Sequence, residues 1–416
     1  MARRIGSWVC AAAAILLVWR ALPSLEQGLH TRPGDGVVDW LGARAWLAHV
    51  NVYSPEGLAA YGLTPYGFAH PPTAPFWLLP FAAWDVDMLG TMMGWVTILL
   101  TAFHLVATFG ALRVPSPLPV AALAFGLALN ASWLRNDLDM AQVSEPIAFV
   151  YLLTWLALRG GRDVEAGLFV GLACTFKPFA GVLWLMLLSL RRWRAAATGA
   201  LAWLAIAILM TARFGLVSWL QWNAFNRQTA IVWLGHLRNA TLPGVVLRAF
   251  YPVCRGDARP HLLPTLIAIA LGAAILWACH ALSRSARAGR PLDPSRVDLV
   301  FAAWATASVF VNPVAWEHYA FLLMTPLAIV GAAALDPLLR PRPRAGAAAA
   351  MLIAIALLAI DMHDKLEARS VRYRIGSGHL RLHLLEAANW LPWAIALAAA
   401  LWLLRARDRA LSPQVS

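Results

Sequence analysis

Charged residues are scarce in this sequence. Only 13% of the 416 residues are Asp, Glu, Lys or Arg, whereas 60% are hydrophobic, and the mean hydropathy is +0.63. A soluble domain carries about 25% charged residues. The shortage of charge excludes a soluble globular protein and indicates a chain that crosses the membrane many times.

Lysine is almost absent. Only Lys177 and Lys365 are lysines among the 34 basic residues, so arginine supplies nearly all of the net charge of +13. The arginines stand in short clusters between apolar runs, which is typical of the cytoplasmic loops of membrane proteins. This distribution does not indicate nucleic-acid binding, and we expect no nucleic-acid partner.

Cysteine and the common catalytic signatures are also scarce. The four cysteines, Cys10, Cys174, Cys254 and Cys279, are scattered without a C-x-x-C pair, so we predict small buried apolar residues rather than disulfides or a zinc site. The sequence has no convincing P-loop, dinucleotide-binding glycine motif, H-E-x-x-H motif or catalytic triad. No internal repeat stands out either.

Long apolar runs are what the sequence has instead. A spanning helix needs about 20 apolar residues, and shorter ones are possible inside a bundle. We therefore predict a single all-α membrane domain over residues 1–416, a bundle of roughly 10 to 13 transmembrane helices. The candidate spans are Ile5–Leu22, Thr73–Trp84, Met88–Leu112, Leu118–Leu134, Ser144–Leu158, Glu165–Leu190, Ala195–Ala212, Leu262–Leu282, Val297–Val311, Tyr319–Leu335, Gly346–Ile360 and Trp390–Leu404.

Arginine clusters orient these spans. The clusters within 191–194, 284–290, 340–344 and 405–409 all fall on one side if the spans alternate, and we assign that side to the cytoplasm. The loops 23–72, 213–261 and 361–389 then face the extracytoplasmic side. Within 23–72 the pattern predicts two short helices on the membrane surface, with Ser54 capping the second and Pro55 at its first position.

The run Glu165–Leu190 is interrupted at its middle by Lys177-Pro178. Arginines precede and follow this run, and one straight helix cannot join two points on the same side. We favour a hairpin of two short helices with Lys177 near the turn, because proline disfavours helix at the preceding residue. A single long helix is the alternative. A lone lysine in such a run is a candidate phosphate-binding group, or else it snorkels to the interface.

Asp39 lies just past the first apolar run, at the start of the first predicted surface helix. A carboxylate at the mouth of a membrane bundle can take the proton from a hydroxyl that attacks a sugar. The alternative is a helix cap or a surface ion pair. Asp39 is therefore our candidate catalytic residue, together with His318, which could bind a phosphate oxygen or shuttle a proton.

Other polar residues interrupt apolar sequence on the same predicted side. A phosphate that leaves as an anion needs cations or hydrogen-bond donors, and amides suit sugar hydroxyls. For the residues within 135–142 and 226–228 the alternative is an ordinary connecting or solvated loop, and for Glu317 and His318 it is a capped helix start with interfacial aromatic residues. The candidate substrate-binding residues are His70, Arg135, Gln142, Lys177, Asn226, Arg227, Gln228 and Glu317, with Arg238 as a further cation.

Taken in order, these pieces resemble glycosyltransferase family 87, membrane enzymes of the GT-C superfamily. The similar stretches run from about residue 34 to 335, and their order and spacing carry the resemblance. Two positions depart from the family pattern, Ala141 where glycine is usual and His70 where tyrosine is usual. The stretches are Asp39, Asn51-Val52-Tyr53, Phe68-Ala69-His70-Pro71-Pro72, Ala141-Gln142, Gly167–Gly171 through Lys177-Pro178, Asn226–Gln228 and Pro313–Tyr319.

The resemblance implies a GT-C fold and transfer of a hexose, with mannose best known, from a polyprenyl-phosphate donor to a glycolipid or polysaccharide acceptor. It implies inversion at the anomeric carbon, Asp39 as general base, His318 near the donor phosphate, and no required metal or other cofactor. The expected location is the bacterial inner membrane, with membrane lipid around the protein and the active site on the extracytoplasmic face. The alternative is a transporter or lipid-linked sugar flippase, which would tend to show inverted repeats.

Overall fold

The computed structural model of the protein describes residues 2–30, 34–63, 70–236, 238–250, 262–285, 293–359 and 379–411. Within these ranges the regular secondary structure is helical and no strand occurs. The α-helices are α1 (Ala2–His30), α2 (Asp35–Leu47), α3 (Pro55–Ala60), α4 (Val86–Ala111), α5 (Pro117–Leu129), α6 (Ser132–Met140), α7 (Ser144–Arg159), α8 (Asp163–Phe176), α9 (Val182–Ser189), α10 (Trp193–Phe214), α11 (Val217–Leu234), α12 (Leu242–Phe250), α13 (Leu262–Ser285), α14 (Pro294–Phe310), α15 (Met324–Ala333), α16 (Pro341–Leu358) and α17 (His379–Leu411). Short 3₁₀ helices cover Ala74–Phe81, Pro178–Gly181 and Glu317–Leu323.

Six of the described helices, α1, α4, α10, α13, α16 and α17, are long and apolar enough to cross a membrane. Together α5 and α6 make a seventh candidate, bent by 65°. The prediction of an all-α polytopic membrane protein is confirmed. The long spans are fewer than predicted, because α7, α14 and α15 have only 16, 17 and 10 residues. Thr73–Trp84 is not a span at all, since it contains an 8-residue 3₁₀ helix.

The ion pairs between arginine and aspartate in the described residues lie at one end of the bundle, which we call the arginine-rich end. Arginine side chains from the ends of several helices meet aspartates from others there, and the start of α1 joins them through a bond of 2.9 Å between Ser7 Oγ and Ser116 Oγ. This grouping agrees with the predicted alternation of the spans. The pairs are Arg159–Asp298 (3.1 Å), Arg192–Asp163 (3.1 Å), Arg407–Asp293 (2.8 Å), Arg407–Asp336 and Arg296–Asp408.

The predicted hairpin around Lys177 is confirmed. Lys177 has an extended backbone (φ −123°, ψ 106°) between α8 and the 3₁₀ helix Pro178–Gly181. The pair Arg192–Asp163 then joins the residues just after α9 to the first residue of α8, so the chain returns to the end it left. A single long helix through this run is ruled out. The hairpin holds its lysine well inside the bundle.

Small residues let α10 pack closely against α8. A Cβ on Gly167 would lie 2.1 Å from the carbonyl oxygen of Ala195, and one on Gly171 would lie 2.4 Å from that of Gly199. Four-residue spacing of small residues on both helices is the usual means by which membrane helices approach each other. This contact fixes the position of α8, the first helix of the hairpin.

Several predicted boundaries are wrong. The first span does not end at Leu22, because α1 continues through Pro23 to His30, a proline that membrane helices tolerate. Of the two interpretations left open for the island 135–142, an ordinary connecting loop is ruled out, because most of it lies in α6. Asn130 ends α5 just before α6 begins. Its side chain donates to the carbonyls of Leu17 and Gly126 at 2.8 Å each.

The remaining local predictions concern a helix cap, the last loop and the cysteines. The cap at Ser54 is confirmed, since the N–H of Gly57 donates to its Oγ at 3.0 Å. The last helix begins at His379, inside the predicted loop 361–389, whose residues up to 378 lie outside the described part. Of the cysteines, Cys174 and Cys279 are buried free thiols and Cys10 is half-buried. Cys254 lies outside the described residues.

Candidate active site

Polar side chains from six separate elements converge at the end of the bundle opposite the arginine-rich end. We call this group the polar cluster. Its members are Asp39 from α2, His70 from the segment before Pro71, Asn136 from α6, Lys177 from the hairpin turn, Arg238 from the segment before α12, and Glu317 and His318 from the 3₁₀ helix Glu317–Leu323.

Helix α2 sets the position of Asp39. Its first turn is tied to the segment after α6 by Gln142, whose Nε2 donates to Asp35 Oδ2 at 2.6 Å. Trp40 Nε1 donates to the carbonyl of Phe81 at 3.2 Å and fixes the rotation of the helix. Asp39 lies in the second turn, not at the helix start as predicted, and is only 3% exposed.

Asp39 is joined to Lys177 through His70. His70 Nδ1 lies 2.7 and 2.9 Å from the two carboxylate oxygens of Asp39, and His70 Nε2 lies 2.6 Å from Lys177 Nζ. An ammonium group can only donate, so Nε2 accepts and the ring proton is on Nδ1, where it donates to Asp39. A neutral imidazole therefore separates a carboxylate from a cation.

Tyr53 holds His70 in this position. Its hydroxyl donates to the carbonyl oxygen of His70 at 3.0 Å. Burial raises the pKa of Tyr53 well above its usual value, and the nearby charge of Asp39 raises it further. Tyr53 is therefore a stable donor, and the ring of Phe176, with its centroid 4.8 Å from that of His70, supports the imidazole from another side.

Lys177 points into the bundle and does not snorkel to an interface. The residue is 6% exposed. Its Nζ lies 5.3 Å from the ring centroid of Phe176 and 5.1 Å from that of Tyr319, within the range of cation–π attraction. The hairpin turn is held by Thr175, whose carbonyl accepts from Thr73 Oγ1 at 2.5 Å. A buried ammonium with aromatic neighbours and one hydrogen bond to a neutral ring retains capacity to bind an anion.

A second chain of hydrogen bonds reaches His318. Arg238 Nε donates to Glu317 Oε2 at 3.0 Å, and Arg238 Nη2 donates both to Glu317 Oε1 and, at 3.2 Å, to Asn136 Oδ1. Asn136 Nδ2 lies 3.1 Å from His318 Nδ1. Asn389 supports the chain by donating to the backbone carbonyl of Arg238 at 2.8 Å. Glu317, predicted to bind substrate, is thus engaged by Arg238.

His236 fixes the segment that carries Arg238. The N–H of Arg238 donates to His236 Nδ1 at 3.2 Å, and the ring packs edge-on against Trp233 and Trp316. Burial lowers the pKa of His236 to about 4, with the positive charges of Arg238 and Arg248 adding to the effect. His236 is neutral at physiological pH, as its acceptor role requires.

One nitrogen of His318 is left for a ligand. His318 is 3% exposed, and its Nε2 is buried without a hydrogen-bond partner among the described residues. The polar cluster therefore contains a carboxylate, an ammonium group and an imidazole nitrogen without a partner among the described residues. These groups are suited to general acid–base catalysis beside an anionic substrate group. In the described ranges no three His, Cys, Asp or Glu side chains are grouped in a way that could hold a metal ion.

Some predicted site residues lie away from the cluster. Asn226, Arg227 and Gln228 are exposed on α11, and no described hydrogen bond or ion pair joins them to it. Gln142 is engaged by Asp35, and Arg135 is half-buried on α6. Asn136 lies within the island 135–142, where the sequence pattern favours Arg135 and Gln142 and gives no signal that singles out Asn136.

Comparison with known proteins identifies a family. The model of glycosyltransferase family 87 matches residues 68–297, more than half of the chain. His70, Asn136, Lys177 and Arg238 lie inside the matched range, whereas Asp39 and His318 lie outside it. No curated protein and no solved structure matches the chain.

Proposed function

Because the chain belongs to glycosyltransferase family 87 and is thus a membrane glycosyltransferase, we propose that it transfers a hexose from a polyprenyl-phosphate donor. The proposed acceptor is a glycolipid or polysaccharide, and the proposed sugar is mannose. The reaction takes place at the extracytoplasmic face of the bacterial inner membrane, with inversion at the anomeric carbon. Asp39 is the general base.

The observation that carries this proposal is the chain Asp39–His70–Lys177. A buried carboxylate and a buried ammonium stand one imidazole apart, with hydrogen bonds of 2.7 and 2.6 Å. A glycosyl transfer from a phosphate needs both, a base for the attacking hydroxyl and a cation for the departing anion. His70 keeps the two from neutralising each other by direct contact, so each remains usable.

The proposed step exchanges one C–O bond of the anomeric carbon for another and transfers one proton. The acceptor hydroxyl gives its proton to Asp39 while its oxygen attacks the anomeric carbon of the donor. The bond from that carbon to the phosphate oxygen breaks, and the polyprenyl phosphate leaves with the electron pair and a second negative charge. Lys177 and the Nε2–H of His318 bind this growing charge, as preorganised donors do in other enzymes.

The position of the arginines supports the extracytoplasmic location. The arginine-rich end carries the ion pairs of Arg159, Arg192, Arg296 and Arg407, and cytoplasmic loops are the ones enriched in arginine. The polar cluster is at the opposite end. We therefore propose that the polar cluster faces the extracytoplasmic side.

A donor assay tests this function. Purified protein in detergent is given radiolabelled polyprenyl-phosphate mannose or the corresponding nucleotide sugar, with a crude lipid fraction as acceptor. We expect label to move into lipid product from the polyprenyl donor only. Transfer from the nucleotide sugar, or none from either, contradicts the proposal. Detergent removes the two compartments, so a flippase would give no signal.

A further inference from the structure

We propose that Asn136 is a positioning residue that holds the proton of His318 on Nε2, the nitrogen that faces the substrate. The functional part of this inference rests on the proposed function. The structural part concerns the tautomer of one buried imidazole and can be tested without any substrate.

The orientation of the Asn136 amide is decided by Arg238. The oxygen and nitrogen of an asparagine amide look alike, and their assignment follows from the partners. A guanidinium has donors and no acceptor. The amide atom 3.2 Å from Arg238 Nη2 must therefore be oxygen, as placed, and the atom 3.1 Å from His318 Nδ1 must be the NH₂ group.

The tautomer of His318 follows from that orientation. Asn136 Nδ2 donates to His318 Nδ1, so Nδ1 is the acceptor nitrogen of the ring. A neutral imidazole with an acceptor at Nδ1 carries its proton on Nε2. That nitrogen is the buried one without a partner among the described residues, so Asn136 leaves a donor aimed at a ligand.

The neutral state of the ring follows from its neighbours. The charged or titratable groups that act on His318 are Lys177, Glu317, Arg238 and His70. Glu317 is engaged by Arg238, and a third positive charge beside Lys177 and Arg238 in a buried position is unfavourable. A neutral Nε2–H gives a phosphate oxygen a directed hydrogen bond, while Lys177 supplies the charge.

Replacement of Asn136 by aspartate reverses the arrangement. The introduced carboxylate cannot donate, so His318 places its proton on Nδ1 and turns an acceptor lone pair toward the substrate. Only protonation of the ring restores a donor at Nε2. Loss of one hydrogen bond to a charged group lowers kcat/KM for the donor by roughly 10- to 100-fold, and activity of the variant recovers as pH falls.

The experiment combines spectroscopy with a pH profile. Nitrogen NMR of the full-length protein labelled with ¹⁵N-histidine shows which ring nitrogen of His318 carries the proton, with His318→Gln used to assign the signal. We expect Nε2–H in the wild type and Nδ1–H in Asn136→Asp. Asn223→Asp, which adds the same charge on the exposed face of α11, is the matched control and keeps the wild-type tautomer and profile.

Two results overturn the proposal. One is a wild-type His318 protonated on Nδ1, which needs no variant and remains decisive even if Asn136→Asp does not fold. The other is an Asn136→Asp protein with wild-type kcat/KM and pH profile. Absence of any transfer by the wild type contradicts the proposed function and leaves the spectroscopic result to stand by itself.

Discussion

Lys177 and His70 are joined by a hydrogen bond of 2.6 Å across 107 positions of sequence. The bond orients the imidazole so that its other nitrogen donates to Asp39. Asp39 is therefore not an isolated carboxylate, and its position depends on the hairpin turn that presents the lysine. Several experiments follow from this relationship.

The role of His70 can be separated from that of a base. In the structure His70 donates to Asp39, and the hydroxyl of a tyrosine can replace that donor. We expect His70→Tyr to keep a substantial part of kcat and His70→Phe to lose about 10-fold or more, the effect of one charge-assisted hydrogen bond. Equal loss in both variants, measured as initial transfer rates, would mean that the imidazole itself takes the proton.

Loss of the cation at position 177 slows the departure of the phosphate. Lys177→Met keeps the length and apolar stem of the side chain and removes its charge. We expect kcat to fall about 10²- to 10³-fold, the usual effect of removing one preorganised group that stabilises a developing anion. Lys177→Arg keeps the charge and should lose less. The idea fails if Met and Arg variants transfer at the same rate in single-turnover assays.

Close packing of the hairpin is open to a stability test. A Cβ at position 167 meets the backbone oxygen of Ala195 at 2.1 Å, which cannot move unless α8 and α10 separate. We expect Gly167→Ala to destabilise the protein by about 1–3 kcal/mol, the range for overpacking. Gly181→Ala in the same hairpin is the control, since nothing lies within 4 Å of the added carbon. Thermal unfolding in detergent compares the two, and similar melting temperatures would contradict the packing account.

The buried His236 predicts a dependence of stability on pH. Its pKa is about 4 in the folded protein and 6.5 in the reference state. Above pH 6.5 the ring is neutral in both states, and as pH falls below that value the unfolded chain binds a proton that the folded one does not. Stability is therefore lost on acidification, by about 2 kcal/mol at pH 5.

The variant His236→Gln isolates this contribution. Glutamine has a similar length and cannot titrate. The difference in unfolding free energy between pH 7 and pH 5 should be smaller in the variant than in the wild type. A parallel pH dependence of the two proteins would show that another group is responsible.

Part of this site can be predicted from the sequence, because burying a polar side chain in apolar surroundings is energetically unfavourable. Asp39, Lys177 and His318 stand out because polar groups in apolar surroundings are unfavourable without a function. The hairpin follows from arginines on both sides of one apolar run. The hydrogen bonds that join Asp39 to Lys177 through His70 cannot be predicted in this way. The two partners of His70 lie 31 and 107 positions away, and only the fold brings them together.

Other features were hidden for physical reasons. Asn136 lies in a polar stretch that composition cannot distinguish from a loop, and its partners are 182 and 102 positions away. Arg227 has the right charge on the predicted side but projects from the exposed face of α11. Hydropathy alone does not separate the six long spans of the described residues from shorter apolar helices inside the bundle, such as α7 and α14.

Transfer by Asp39→Asn, in detergent with a radiolabelled polyprenyl-phosphate sugar, is the most direct test of the account. The amide keeps the shape of the side chain but cannot take a proton. Asp35→Asn, one turn earlier on α2 and in contact with Gln142, is the control and should transfer at the wild-type rate. We predict that Asp39→Asn is folded and loses at least about 10²-fold in kcat. A folded Asp39→Asn protein that transfers as fast as the wild type would contradict the general-base role and the reading of the polar cluster built on it.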